Sequence, residues 1–215
     1  MGLKGVVFDL DGVITDTAEY HFQAWQALGK DIGIEFDRAF NEELKGVGRM
    51  ESLEKILSFG KREGDFSFEE KLELARKKNE HYLELINNIK KEDLLPGIKN
   101  LLEDLKNENI LIALGSASKN GPQILKQLEI EDYFDFIANP ENVKNSKPHP
   151  DIFIEACRGL GINAKEAIGI EDAISGIEAL KSAGIFSIGI GVEGDLSLKS
   201  TEELNIDLIK NVVLG

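Results

Sequence analysis

The second half of this sequence alternates short apolar segments with amphipathic segments of about ten residues, a spacing typical of α/β proteins. Strands are predicted at residues 110–114, 134–138, 167–170 and 186–190, with helices between them. Strands that alternate with helices in this way form parallel βαβ units, and the helices cover the sheet. Together with an apolar segment at residues 4–8, the pattern predicts a doubly wound α/β fold.

The region between residues 31 and 91 has a different pattern. Charged and apolar residues recur there at helical spacing, and the stretch contains no convincing strand. We therefore predict an α/β core domain of residues 1–15 and 92–215. Residues 16–91 are predicted to form an α-helical cap domain, inserted after the first strand.

The composition excludes several classes of partner. The 215 residues include 39 acidic and 25 basic side chains, which gives a net charge of −14. Binding to nucleic acid or to anionic membranes requires clustered basic residues, so neither partner is expected. A small phosphorylated substrate stays compatible with this charge, because one basic pocket and a metal ion suffice to bind it.

The single cysteine and the N-terminus bear on the compartment. Cys157 cannot form an internal disulfide, and its place on an apolar helical face predicts a packed thiol. No cleavable signal is recognisable before the first strand, and the apolar stretches are too short to span a bilayer. These features predict a cytoplasmic protein, and nothing in the sequence demands more than a monomer.

Two acidic residues and a glycine follow the first predicted strand. Side chains two residues apart in a strand point to the same side, so Asp9 and Asp11 are expected to leave its carboxyl end together. Gly12 then allows a sharp turn. Two neighbouring carboxylates repel each other unless a cation lies between them, and Mg²⁺ prefers oxygen ligands. The motif therefore predicts a catalytic metal site.

Three further segments are expected at the same edge of the sheet, where doubly wound folds bind their ligands. Ser116 follows the second strand, Lys147 lies before a predicted helix, and Glu171 and Asp172 follow the fourth strand. Phosphoryl transfer requires a nucleophile, a proton shuttle and positive charge around the phosphoryl oxygens. Asp9 is the predicted nucleophile, and Asp11 is the predicted general acid and base. Ser116 is predicted to donate a hydrogen bond to the phosphoryl group, and Lys147 is predicted to be the fixed cation. The predicted metal ligands are Asp9, Asp11, Glu171 and Asp172.

Each of these residues also has an ordinary structural interpretation. Ser116 could cap a helix, Lys147 could be a solvated loop lysine, and acids are common at helix N-termini. A separate motif, residues 189–194, matches G-x-G-x-x-G. It lies at the last predicted strand and is not followed by a clear helix, so we do not predict nucleotide binding there.

The four motifs resemble those of the haloacid dehalogenase superfamily of phosphotransferases, in the same order and over nearly the whole chain. Within this superfamily the sequence is most similar to the β-phosphoglucomutase family. The similarity lies in residues 15–21, 24–25, 44–49 and 116–121. The resemblance implies a Rossmann-like core with a helical cap. It also implies interconversion of β-D-glucose 1-phosphate and β-D-glucose 6-phosphate through β-D-glucose 1,6-bisphosphate.

The resemblance assigns cofactors and further site residues. It implies one Mg²⁺ per chain, a phosphoryl group carried by Asp9, and priming by glucose 1,6-bisphosphate or a similar donor. A bisphosphate has two phosphates, so a second, distal phosphate site is expected, to which Arg49 can bind in a bidentate manner. The predicted substrate-binding residues are Asp11, Trp25, Lys45, Gly46, Val47, Arg49, Ser116, Ala117, Ser118, Lys119 and Asn120.

The inserted domain is predicted to act as a lid that excludes water from the phosphorylated aspartate, with hinges at residues 14–17 and 90–95. Thr17 and His21 are implied to be catalytic residues, and His21 is implied to help couple lid closure to the proton position of Asp11. His21 could equally be a histidine of a packed helix whose ring nitrogens are hydrogen-bonded, without a catalytic role. Arg49 could be a solvated surface arginine. Gly48 and Gly115 stand where slightly larger residues are expected, which predicts looser neighbouring loops.

Other functions stay open at this point. A magnesium-dependent phosphatase of another sugar phosphate would share the core motifs, but it would not require Arg49 or the loop at residues 118–120. A 2-haloacid dehalogenase uses the nucleophilic aspartate without Asp11 or a metal, and is therefore disfavoured. The complete set of acids argues against a binding module without catalytic activity.

Overall fold

A computed structural model describes residues 2–214 of the protein. The chain divides into two compact units. The first, which we call the core unit, comprises Met1–Asp16 and Ile89–Gly215. The second, which we call the helical unit, comprises Thr17–Asn88.

The core unit contains a six-stranded sheet in which all neighbouring strands are parallel. The strand order is β3-β2-β1-β4-β5-β6, so the chain builds the sheet outward from β1 first in one direction and then in the other. This order confirms the predicted doubly wound fold. The strands are β1 Gly5–Phe8, β2 Leu111–Leu114, β3 Phe136–Ile137, β4 Ala167–Glu171, β5 Phe186–Ile190 and β6 Leu196–Leu198.

Nine α-helices lie within residues 2–214. The helical unit contains the first four and the core unit the other five. They are α1 Ala18–Asp31, α2 Arg38–Asn41, α3 Arg49–Phe59, α4 Phe68–Ile86, α5 Ile98–Asn107, α6 Gly121–Gln127, α7 Asp151–Leu160, α8 Ile174–Ala183 and α9 Ile206–Leu214.

The hydrophobic core of the core unit lies between the sheet and the helices that follow its strands. Val7 of β1 and Ala113 of β2 belong to a buried cluster with Phe153 of α7 and Leu180 of α8. β1 is buried along its whole length, which explains its continuous apolar sequence. This packing fixes the carboxyl ends of the central strands, where the predicted site residues follow.

The helical unit has a separate core formed by α1, α3 and α4. Trp25, Leu53 and Ile56 are buried in it. Ser67 and Glu70 form a capping box at the start of α4, in which each side chain bonds the backbone N–H of the other. No strand occurs between residues 17 and 88, as the sequence pattern predicts. Across the described residues, we found no helix with both the length and the apolar character needed to span a bilayer.

Candidate active site

Three carboxylates meet at the centre of the sheet. Asp9 directly follows β1, Glu171 is the last residue of the neighbouring strand β4, and Asp172 comes next. The chain leaves β1 on one side and returns through β4 on the other, so this is the switch point at which doubly wound sheets bind ligands. One oxygen from each of these three side chains lies within 4.8 Å of the others.

Lys147 supplies a buried cation to this group. Its side chain is inaccessible to solvent, and its Nζ donates to Asp9 Oδ1 at 2.6 Å and to Glu171 Oε1 at 3.3 Å. The ammonium also lies 4.7 Å from the centre of the Phe153 ring. The preceding loop is fixed by Asp151, whose carboxylate accepts from the Asn145 backbone and side chain. Lys147 is therefore a positioned residue and not a solvated one.

The charges of this group alter its titration. Burial raises the pKa of Glu171 well above its ordinary value, and the Asp9 carboxylate acts in the same direction, while Lys147 opposes them. Burial lowers the pKa of Lys147, but the Asp9 and Glu171 carboxylates outweigh it, so the pKa lies above its ordinary value. Lys147 is therefore a permanent cation at neutral pH.

The donor set fits a divalent metal ion. Three carboxylates and one ammonium leave a formal charge of −2, which Mg²⁺ would neutralise, and the available ligands are all oxygens. Asp11 is half-buried, and it is not a member of the group formed by Asp9, Glu171 and Asp172. Its predicted role as a metal ligand stays a prediction.

Two glycines make room for the acidic side chains. Gly12 has a φ of +76°, and a Cβ atom there would lie 2.1 Å from Asp172 Oδ2. A Cβ atom at Gly176, in the first turns of α8, would lie 1.6 Å from Glu171 Oε1. Both distances are far below van der Waals contact. The positions of Asp172 and Glu171 therefore depend on glycine at 12 and 176.

We expect Gly176→Ala to weaken magnesium activation by about 10–100-fold, the usual effect of disturbing a group that orients a metal ligand. The added methyl group must displace the Glu171 carboxylate, although alanine is the better helix former. The measurement is the Mg²⁺ concentration at half-maximal activity. Ser182→Ala, at an exposed position of the same helix, is the matched control. An unchanged magnesium requirement in Gly176→Ala would contradict the prediction.

The loop after β2 holds the next predicted site residues. Ser116 is buried, and its Oγ accepts the N–H of Ser118 at 3.1 Å; the Ser118 Oγ accepts the N–H of Asn120 at 3.3 Å. The Ser116 hydroxyl can still donate its own proton to a ligand. Lys119 forms an ion pair with Glu141. The loop thus presents hydroxyl and amide groups beside Ala117, in a conformation fixed by its own side chains.

Gly115 does not loosen this loop. A Cβ atom at this position would lie 2.8 Å from the Phe153 ring and 2.9 Å from Val7. Phe153 occupies the space that a larger residue at 115 would need, and its ring lies beside the Lys147 ammonium. The expectation of a loose loop was wrong, because glycine here permits tight packing.

In the helical unit, the half-buried His21 of α1 contacts a buried residue that the sequence analysis did not select, Lys78 of α4. Lys78 Nζ is 2.8 Å from His21 Nδ1, and it lies 4.8 Å from the Trp25 ring centre and 4.7 Å from that of Tyr82. Burial lowers the pKa of His21 well below its ordinary value, and the charges of Lys78 and Arg49 add to this effect. Neutral His21 then accepts from Lys78 at Nδ1 and carries its proton on Nε2.

A sequence signal for Lys78 exists. Ala75, Lys78, Tyr82 and Ile86 are the buried residues of α4, and their spacing is that of one helical face. A lysine in an otherwise apolar stripe indicates a buried cation. The surrounding charged residues concealed this pattern.

The other predicted residues of the helical unit are placed as follows. Trp25 is buried in the core of this unit, and its predicted contact with substrate stays a prediction. Thr17 is fully buried, and its Oγ1 has no hydrogen-bond partner among the described residues.

Lys45 forms an ion pair with Glu42 at 2.9 Å. Gly46 and Val47 lie in the loop before α3, and Arg49 is the first residue of that helix.

Comparison with known proteins identifies the family. A sequence profile of haloacid dehalogenase-like hydrolases matches residues 3–184. The β-phosphoglucomutase of Bacillus subtilis (strain 168) is 49% identical over 212 residues, which cover 96% of this chain and 94% of that protein. The phosphorylated carbohydrates phosphatase of Thermotoga maritima is 29% identical over 85% of this chain and 82% of its own length.

The solved structures agree with the sequence comparison. The crystal structure of β-phosphoglucomutase from Clostridium difficile superimposes with a TM-score of 0.97 at 48% identity, and the match covers 99% of this chain and 97% of that one. The chain therefore belongs to the haloacid dehalogenase-like family and, within it, to the group of β-phosphoglucomutases.

Proposed function

We propose that this protein interconverts β-D-glucose 1-phosphate and β-D-glucose 6-phosphate through an aspartyl phosphate and β-D-glucose 1,6-bisphosphate. The observation that carries the proposal is the 49% identity to a β-phosphoglucomutase over nearly the full length of both chains. The cluster of Asp9, Lys147 and Glu171 supports it, because it provides a carboxylate nucleophile beside a fixed cation.

The first half-reaction starts from phosphorylated Asp9. The 6-hydroxyl of β-D-glucose 1-phosphate attacks the phosphorus; the O6–P bond forms, the bond from phosphorus to the Asp9 oxygen breaks, and the hydroxyl proton passes to Asp11. Asp11 follows Asp9 by two residues, which supports its role as the proton acceptor. The product of this step is the bisphosphate, and Asp9 is again a free carboxylate.

The second half-reaction uses the other phosphate of the same bisphosphate. After reorientation, Asp9 attacks the phosphorus at C1; the bond from this phosphorus to O1 breaks, and Asp11 returns the proton to O1. β-D-glucose 6-phosphate leaves, and Asp9 is phosphorylated again. Lys147 and the Ser116 hydroxyl can stabilise the negative charge on the transferring group.

Magnesium and the priming donor complete the proposal. Asp9, Glu171 and Asp172 would hold Mg²⁺, with Asp11 as a further predicted ligand. When bound, the metal ion neutralises charge on the phosphoryl oxygens. A protein that starts without its phosphoryl group requires glucose 1,6-bisphosphate or a similar donor.

Further parts of the proposal rest on the sequence. Arg49, Ser118, Lys119 and Asn120 are proposed to bind the distal phosphate, and Lys45, Gly46 and Val47 the sugar. The helical unit is proposed to act as a lid, with His21 coupling its closure to Asp11 and Thr17 as a further catalytic residue. The single cysteine, whose pKa burial raises to about 11, suits a reducing compartment, so a cytoplasmic location is included. The proposed state is a monomer.

The test follows phosphorus directly. The protein is incubated with β-D-glucose 1-phosphate, Mg²⁺ and a trace of glucose 1,6-bisphosphate, and the products are followed by ³¹P NMR. We expect glucose 6-phosphate with little free phosphate. Free phosphate as the main product would instead identify a sugar-phosphate phosphatase, the alternative that the sequence left open. Reactions without the donor and without Mg²⁺ serve as controls.

A further inference from the structure

The loop of residues 118–120, which is proposed to bind the distal phosphate, forms an ion pair with a carboxylate from another loop of the core unit. Lys119 Nζ donates to Glu141 Oε1 at 2.5 Å. Both side chains are about half exposed, at 48% and 60%, so a ligand from solvent can reach this pair. An accessible lysine in a phosphate-binding loop therefore already has an anionic partner.

The backbone holds Glu141 in place. Glu141 lies in a 3-10 turn, Pro140–Asn142, that follows β3. Its N–H donates to the Asn139 side chain at 2.9 Å, and the N–H of Asn142 donates to the Asn139 carbonyl at 2.9 Å. The carboxylate is thus presented from a fixed turn. The same segment of chain continues to Lys147, so the ion pair joins the two loops that deliver Ser116 and Lys147.

A mutase imposes a special requirement on its distal phosphate site. The same bisphosphate must present first one phosphate and then the other to Asp9, so the distal phosphate must leave its site once in every cycle. A bare lysine would oppose this departure, because the separation of opposite charges costs free energy. A protein carboxylate that replaces the phosphate on the lysine reduces that cost.

We infer that Glu141 is an internal competitor of the distal phosphate: its carboxylate occupies Lys119 whenever the phosphate leaves, which keeps the bisphosphate exchangeable. This inference rests on the proposed function. Glu141 is a positioning residue and does not react. A phosphate dianion displaces the singly charged carboxylate, and the carboxylate returns when the phosphate departs.

The size of the effect follows from the exposure of the pair. Ion pairs between exposed side chains shift equilibrium constants by only a few-fold. Loss of the competitor should therefore tighten phosphate binding by about threefold, the range expected for one exposed pair. For the same reason, removing the ion pair should leave the fold intact.

The experiment measures binding of inorganic phosphate by isothermal titration calorimetry at fixed Mg²⁺. The variants are Glu141→Gln, Lys119→Met and the double variant. Glu108→Gln is the matched control, because Glu108 forms a similarly exposed 2.6 Å pair with Lys210 in the same unit. The Kd for phosphate should fall about threefold in Glu141→Gln, rise in Lys119→Met and stay unchanged in Glu108→Gln. Glu141→Gln should have no further effect in the Lys119→Met background.

Steady-state kinetics provide a second readout. A merely structural role of Glu141 would change the melting temperature, whereas a competitor changes KM for β-D-glucose 1-phosphate. We expect a lower KM with an unchanged melting temperature in Glu141→Gln.

The outcomes separate this inference from the proposed function. An unchanged phosphate Kd in Glu141→Gln, with weaker binding in Lys119→Met, overturns the inference and leaves the distal site standing. A threefold tightening that persists in the double variant also overturns it, because the effect would then not act through Lys119. Unchanged binding in Lys119→Met removes Lys119 from the phosphate site, and the inference falls with it. Failure of the proposed mutase reaction appears separately, in the ³¹P NMR products.

Discussion

Asp9→Asn should abolish the interconversion of β-D-glucose 1-phosphate and β-D-glucose 6-phosphate, with a loss of at least about 10⁴-fold in kcat, as found when a nucleophile that acts as part of a unit is removed. An amide is a poor nucleophile and cannot carry the phosphoryl group. Asparagine has nearly the same size, so its oxygen can still accept from Lys147, whose Nζ lies 2.6 Å from Asp9 Oδ1. The fold should therefore persist.

The measurement combines the initial rate of glucose 6-phosphate formation with the melting temperature. Asp132→Asn, which removes an exposed acid of the core unit outside the cluster, is the control for charge alone. It should retain the rate of the unchanged protein. A rate in Asp9→Asn within a hundredfold of the original would mean that another group carries the phosphoryl transfer.

The convergence of the site could be predicted because it depends on sheet geometry. Asp9 directly follows β1 and Glu171 ends β4, and parallel neighbouring strands place their carboxyl ends at one edge whatever the details of packing. The limits of β5 also agree with the strand predicted at residues 186–190, and α7 and α8 lie between predicted strands as expected. These elements have long, regular apolar repeats, and their pattern is therefore unambiguous.

The shorter elements could not be predicted as well. β3 comprises only Phe136–Ile137 and not residues 134–138. Asp135 explains part of the difference, because its carboxylate accepts the N–H of Ile112, a bond that lies outside the regular strand ladder. β6 and α9 are not among the predicted elements. The three residues of β6 are too few to show a period.

The side-chain pairs within the loops lie beyond sequence reasoning for another reason. Lys119 and Glu141 are separated by 22 residues, and each alone has the pattern of a solvated loop residue. Their pairing depends on the turn at Pro140–Asn142, which local spacing does not reveal. The same limit applies to Phe153, whose contact with Gly115 explains a glycine that the sequence left unexplained.

Lys147→Met should destabilise the protein by about 3–5 kcal/mol at neutral pH and abolish activity, because breaking a buried ion pair leaves its partner charge uncompensated. Lys147 is the cation that contacts both Asp9 and Glu171, and all three side chains are buried. Lys4→Met is the matched control. Lys4 also bonds a largely buried glutamate, Glu166, at 2.7 Å, but its own side chain is 59% exposed. The control should lose no more than about 1 kcal/mol, the value typical of exposed pairs.

The pH dependence of the free energy of unfolding shows whether this loss is electrostatic. Burial and Asp9 raise the pKa of Glu171 above its ordinary 4.5, and Lys147 acts against them, so the variant raises this pKa further. An acid with a raised pKa in the folded state stabilises that state at low pH and loses this contribution as the pH rises through the raised pKa. The deficit of Lys147→Met should therefore be small near pH 4.5 and grow as the pH rises. Added Mg²⁺ should reduce it, because a divalent cation among the same carboxylates replaces the missing charge. A deficit that is the same at every pH and magnesium concentration would instead mean that Lys147 stabilises the core unit through packing on Phe153 alone.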